Sequence, residues 1–71
     1  MVHKDTIHGY SVRYEDNAQE GASYLKNDLD REEAQVFFEQ AKSRGSAQLE
    51  DDSERQFTLV YQSGSYVIIR R

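Results

Sequence analysis

Between residues 7 and 14, IHGYSVRY, the even positions His8, Tyr10, Val12 and Tyr14 are aromatic or β-branched, and Gly9, Ser11 and Arg13 alternate with them. A period of two predicts a first strand with one buried face. The pattern then breaks. The stretch EDNAQEGASYLKND is polar, contains a glycine and is too long for a tight turn, which predicts a loop over residues 17–29 anchored by Tyr24 and Leu25.

At residue 30 the period becomes helical. In DREEAQVFFEQAKSRG, Ala34, Phe37, Phe38 and Ala41 fall at i, i+3, i+4 and i+7 and share one face at roughly 100° per residue. Asp30 can accept hydrogen bonds from the free N–H groups of the first turn, and Glu33 can reach back to its backbone, a capping box with Asp in the first position. Glu32 and Glu33 suit the positive end of the helix, Lys42 and Arg44 the negative end, and Gly45 the left-handed cap. Val36 points away from this face and reads as a single exposed valine.

After Gly45 the period returns to two. SAQLE, QFTLVYQ and SYVIIRR are three strands separated by DDSE and SG. A turn at Ser63-Gly64 sets Tyr61 opposite Tyr66, Leu59 opposite Ile68 and Phe57 opposite Arg70 on one face. Val60 then lies opposite Val67, and Thr58 opposite Ile69, on the other. The preceding hairpin has two registers. A four-residue loop from Asp51 to Glu54 pairs Glu50 with Arg55 and turns Leu49 to the Val60 face, whereas a three-residue loop sets Leu49 beside Phe57.

These elements predict an α+β fold in one domain, residues 1–71: an N-terminal strand, then one amphipathic helix packed on a three- or four-stranded, mainly antiparallel sheet, in the order β-α-β-β-β. Phe37 and Phe38 press on Phe57, Leu59 and Ile68, since a helix and a sheet with one apolar face each must cover one another.

Composition narrows the classes of function. A chain of 71 residues builds one core and buries only about 60% of the surface its unfolded form exposes. Three Phe and five Tyr, with 37% hydrophobic residues, argue for a folded chain. The absence of cysteine removes both a disulfide framework and a thiolate site, and points to a reducing compartment, the cytoplasm. MVHKDTIHGY lacks the apolar run of a signal peptide, and no stretch approaches the roughly 20 apolar residues of a membrane span. Thirteen acidic residues against nine basic ones leave a net charge of -4, which disfavours duplex DNA, whose phosphates several Lys or Arg must neutralise.

The residues that carry chemistry are sparse. His3 and His8 have no partner at metal-ligand spacing, and Met1-Val2-His3 is a copper or nickel arrangement only while Met1 is retained. The run Glu50, Asp51, Asp52, Glu54 lacks the alternating spacing of a calcium loop and reads as a solvated turn. No nucleophile elbow or phosphate loop occurs, because Gly9, Gly21, Gly45 and Gly64 stand singly. No enzyme activity, cofactor or metal is expected.

Two surfaces are left. Thr58, Val60, Val67 and Ile69 form a half-apolar sheet face that predicts an interface with a second copy or a partner protein, alongside pairing of the C-terminal strand with another chain. Tyr10, Tyr14, Tyr61 and Tyr66, with Arg13, Arg55, Arg70 and Arg71, would instead be stacking platforms and cations for single-stranded nucleic acid. The expectation is a small, non-catalytic protein-interaction or regulatory module acting through a homodimer or a partner protein. A single-strand-binding protein is the alternative.

Overall fold

The strand expected over residues 7–14 is two strands. His8 (φ 51°) and Gly9 (φ 88°) are both left-handed and make the two-residue turn whose twist matches a hairpin, so β1 (His3–Ile7) pairs antiparallel with β2 (Tyr10–Tyr14). Gly9, which alternates with the strand residues in the sequence, is part of the turn. Tyr10, Val12 and Tyr14 do share the core side, with Ile7 beside them, and His8 leaves the strand. In HKDTI only Ile7 is apolar, because an edge strand contributes little to the core, and the period there is too weak to read.

The computed structural model describes residues 1–71. After β2 come a 3-10 turn (Asp16–Ala18), α1 (Gln19–Ser23) and a π turn (Tyr24–Asp28), then α2 (Arg31–Arg44), β3 (Ser46–Glu50), β4 (Gln56–Gln62) and β5 (Ser65–Arg70). The sheet has five strands in the order β1-β2-β5-β4-β3. It is mixed, because β2 lies parallel to β5 with Val12 beside Tyr66 and Tyr14 beside Ile68.

Residues 17–29 are helical turns over most of their length, where a loop was expected. Ala18, Gly21, Ala22 and Leu25, at i, i+3, i+4 and i+7, are all buried, so this is a helix face of three small residues and one leucine. An ideal Cβ on Gly21 would stand 2.9–3.0 Å from the Phe57 ring, so the segment seats its backbone on that ring.

Helix α2 follows its pattern. The Glu33 N–H donates to Asp30 Oδ1 at 2.8 Å, the Asp30 N–H donates to Glu33 Oε1 at 3.1 Å, and Gly45 (φ 92°) closes the other end. Ala34, Phe38 and Ala41 are buried, Phe37 is half-buried and Val36 is 63% exposed. Phe38 stacks on Tyr10 with centroids 4.1 Å apart and meets Tyr66 edge-on at 4.9 Å, so the aromatic core lies between α2 and the β2–β5 part of the sheet. Val36 is a lone surface residue.

The C-terminal hairpin turns at Ser63-Gly64 (φ 48° and 86°), and Leu59 faces Ile68, Val60 faces Val67 and Thr58 faces Ile69. In the preceding hairpin Leu49 pairs with Phe57, the three-residue register, which keeps Leu49 in the core. Asp51 organises that turn: its carboxylate accepts from the Ser53 and Arg55 N–H groups, each at 2.9 Å, and from the Arg55 guanidinium at 2.9 Å. Glu54 sits at φ 64°, where a side chain costs roughly 1–2 kcal/mol. Glu54→Gly is therefore expected to stabilise the chain by about 0.5–1 kcal/mol once glycine's larger unfolded-state entropy is deducted, seen as a higher urea midpoint at unchanged slope.

Candidate functional site

The helices lie on one face of the sheet and leave the other open. Antiparallel and parallel pairing place Arg13, Val67, Val60 and Ser46 in one row across that face, and Ile69, Thr58 and Gln48 in the next. Lys4, opposite Arg13, extends the first row to the edge. Thr58, Val60 and Val67 are half-buried by their neighbours within the sheet, and Ile69 is 50% exposed. The four residues expected at an interface are thus contiguous, since a period of two and a two-residue turn put them on one face in register. Alongside them is a cleft of about 370 Å³ bordered by Val2, Arg13, Gln62, Val67 and Ile69. The face is an apolar centre with two cations toward β1 and amide and carboxylate groups, Gln48 and Glu50, toward β3.

The four tyrosines lie on the helix-covered side of the sheet, Tyr66 buried and Tyr10, Tyr14 and Tyr61 half-buried. Tyr66 is only 4% exposed, and burial, with Tyr10 and Tyr61 alongside, pushes its hydroxyl above the ordinary phenol range. Tyr10 and Tyr61 pack against the same core. Tyr14 stacks on His3 at 5.3 Å. Arg70 lies over the Phe57 ring, 5.6 Å from its centre, and Arg55 is held by Asp51 on the core side of the turn. Arg70 and Arg71 are exposed at the end of β5. β5 itself lies between β2 and β4, so both of its edges are occupied and it offers no edge to another chain, contrary to the expected pairing of the C-terminal strand.

Both histidines have partners within the chain. The His8 ring Nε2 lies 3.0 Å from the Leu25 carbonyl and 3.2 Å from that of Leu29. Carbonyls only accept, so Nε2 carries the hydrogen and donates to the end of the helical segment. His3 bonds to Asp16, which ties the start of β1 to the first helical turn. No three His, Asp or Glu side chains converge in a metal-ligating arrangement, and no helix is long and apolar enough to cross a membrane.

A second concavity, of about 210 Å³, lies between the π turn and the β3–β4 turn and gathers Glu20, Tyr24, Asp28, Asp51, Asp52 and Arg55. Asp51 is partly desolvated, but Arg55 and the turn N–H groups outweigh that and hold its carboxyl below the ordinary range. Asp28 has no such partner: desolvation and the facing Asp52 and Asp51 raise its pKa. A raised carboxyl pKa in the folded state makes the ionised form a destabilising one above that pKa, and the penalty vanishes once pH falls below the unfolded value. Asp28→Asn is accordingly expected to raise the urea midpoint at pH 7, with the gain shrinking toward zero as pH falls below about 4. An equal gain at both pH values would contradict this assignment.

The sequence reading missed Lys4, Arg13 and Gln48 as members of the open face. Arg13 was visible as an outward position of the first strand; Lys4 was hidden because β1 was not recognised, and Gln48 because the register of β3 was open. No protein-family model matches the chain, and neither the curated proteins nor the solved structures contain a significant match to it.

Proposed function

We propose that this chain is a small non-catalytic protein-interaction module that acts through a partner protein or a second copy seated on the open sheet face. One observation carries this reading: Val60, Val67 and Ile69 form a contiguous apolar strip that no element of the chain covers. Contiguous apolar surface on a small domain marks a contact site more often than scattered single residues do. Arg13 and Lys4 beside the strip favour an occupant whose apolar ridge is flanked by carboxylates. Apolar surface in the strip supplies the driving force and the flanking charges the orientation, a division common to protein–protein contacts.

Val67→Asp and Ile69→Asp are the test. Each places a charge on the exposed side of β5 and leaves the core untouched, so the melting temperature should stay within a few degrees while binding of a partner protein is lost; self-association through this face would be lost with it, whereas self-association through a sheet edge would not. Partner binding undiminished in both variants would refute the docking face. Against the single-strand-binding alternative stands the packing of Tyr10, Tyr14, Tyr61 and Tyr66 on the core.

A further inference from the structure

The sheet has two free edges, β1 and β3, and they differ. On β1 the flanking turn puts the outward-directed backbone groups on Lys4 and Thr6. The Thr6 N–H is already taken by the Asp5 carboxylate at 2.8 Å, and Lys26 from the π turn reaches the same carboxylate at 3.0 Å. A charge directed to the core side of an edge strand, backed by a lysine from the covering helical turn, is a known means of protecting an edge. β3 has no such protection. At its two ends the Tyr61 N–H donates to the Gly45 carbonyl and the Asp51 N–H to the Arg55 carbonyl. Antiparallel pairing alternates, so Ala47 and Leu49 also bond to β4, and the backbone N–H and C=O of Ser46, Gln48 and Glu50 face outward. The strand has no proline, lysine or bulge, and the Gln48 side chain is turned to Thr58 at 3.2 Å across the open face.

From this asymmetry we infer that β3 pairs with β3 of a second copy, antiparallel about a two-fold axis at Gln48, to join two five-stranded sheets into one. The strand is self-complementary in that register. Gln48 meets Gln48 of the second copy, Ser46 meets Glu50 and Ala47 meets Leu49, so no like charges oppose one another. The three outward residues of each strand exchange both backbone groups, about six hydrogen bonds in all. On the core side, Phe38 leans toward Tyr10 and Tyr66, which puts Phe37, on the opposite flank of α2, over the β3 side, where its half-exposed ring comes to lie beside the second copy. The pairing uses the sheet edge and not the Val67–Ile69 strip, so it stands or falls separately from the docking face, which it makes continuous across both chains.

Light scattering from about 10 µM to about 1 mM should show a monomer–dimer equilibrium for the wild-type chain. Gln48→Lys and Gln48→Glu each set like charges against each other on the axis and should weaken the dimer about tenfold or more. An equimolar mixture of the two variants should restore it as a heterodimer, and that rescue also shows that both variants fold. Val67→Asp should leave this dimer intact. A wild-type chain that stays monomeric at the highest concentration overturns the inference, as does a dimer that survives Gln48→Lys. A dimer that Val67→Asp abolishes and Gln48→Lys does not would assign self-association to the open face instead. Amide hydrogen exchange gives an independent reading without substitution: the Gln48 N–H should gain protection as concentration rises, and protection that does not change with concentration overturns the pairing.

Discussion

Phe38→Ala is expected to cost about 3–5 kcal/mol, the range for removing a fully buried aromatic ring. A folded chain of this length has a total margin of about 4–10 kcal/mol, so the variant should melt far below the wild type or fail to fold at room temperature. Phe38 is at the centre of the core: it stacks flat on Tyr10 from β2, meets Tyr66 of β5 edge-on and is fully inaccessible to solvent. Its loss would open a cavity between helix and sheet that neither rigid tyrosine can fill. Phe37→Ala should cost distinctly less, because Phe37 itself is only half-buried. Thermal unfolding followed by circular dichroism separates the two; equal losses would mean that α2 is rotated on the sheet relative to the packing described here.

Gly21→Ala is the second large effect, and its sign opposes the usual rule. In an exposed helix, alanine in place of glycine gains about 1 kcal/mol. Here the new methyl group would stand 2.9–3.0 Å from the Phe57 ring, and Phe57 is completely buried beneath α1, so either the ring or the helical segment must move. Overpacking of this kind costs about 1–3 kcal/mol, enough to turn a propensity gain into a loss measurable as a lower urea midpoint. The double variant Gly21→Ala, Phe57→Leu isolates the cause. Leucine leaves room for the methyl, so the pair should be less destabilised than the sum of the single variants. Simple additivity would show that Gly21 is needed for a reason other than this contact.

The two variants divide between what the sequence discloses and what it conceals. Phe38 lies in a helix whose start, apolar face and stop are all local signals, each generated within a few residues: the capping box of Asp30 and Glu33, the 3.6-residue spacing of Ala34, Phe38 and Ala41, and the left-handed Gly45. The C-terminal hairpin is local too, because Ser63-Gly64 fixes the register of every pair from Tyr61–Tyr66 to Phe57–Arg70, and with it the open-face strip. Gly21 lies in a segment that reads as polar loop. Its buried face is three small residues, Ala18, Gly21 and Ala22, with Leu25 as the one large apolar side chain, and Gly21 comes close to Phe57. The helical spacing was present in the sequence, but small residues carry little hydrophobic signal.

The sequence by itself determined α2, the β3–β4–β5 meander, its two-sided character and the grouping of Thr58, Val60, Val67 and Ile69, because local hydrogen bonding and side-chain alternation suffice for those. Only the tertiary structure decided the remainder. It split the first strand into a hairpin, inserted β5 beside β2 as a parallel pair, buried Tyr66 and packed Tyr10, Tyr14 and Tyr61 partly against the core, and left β3 as the unprotected edge. Each of these depends on which distant residues meet: His8 with the carbonyls of Leu25 and Leu29, Val12 with Tyr66, Gly21 with Phe57. Such pairings become favourable only after a long loop has closed and the apolar faces have found one another, so no short window of residues records them.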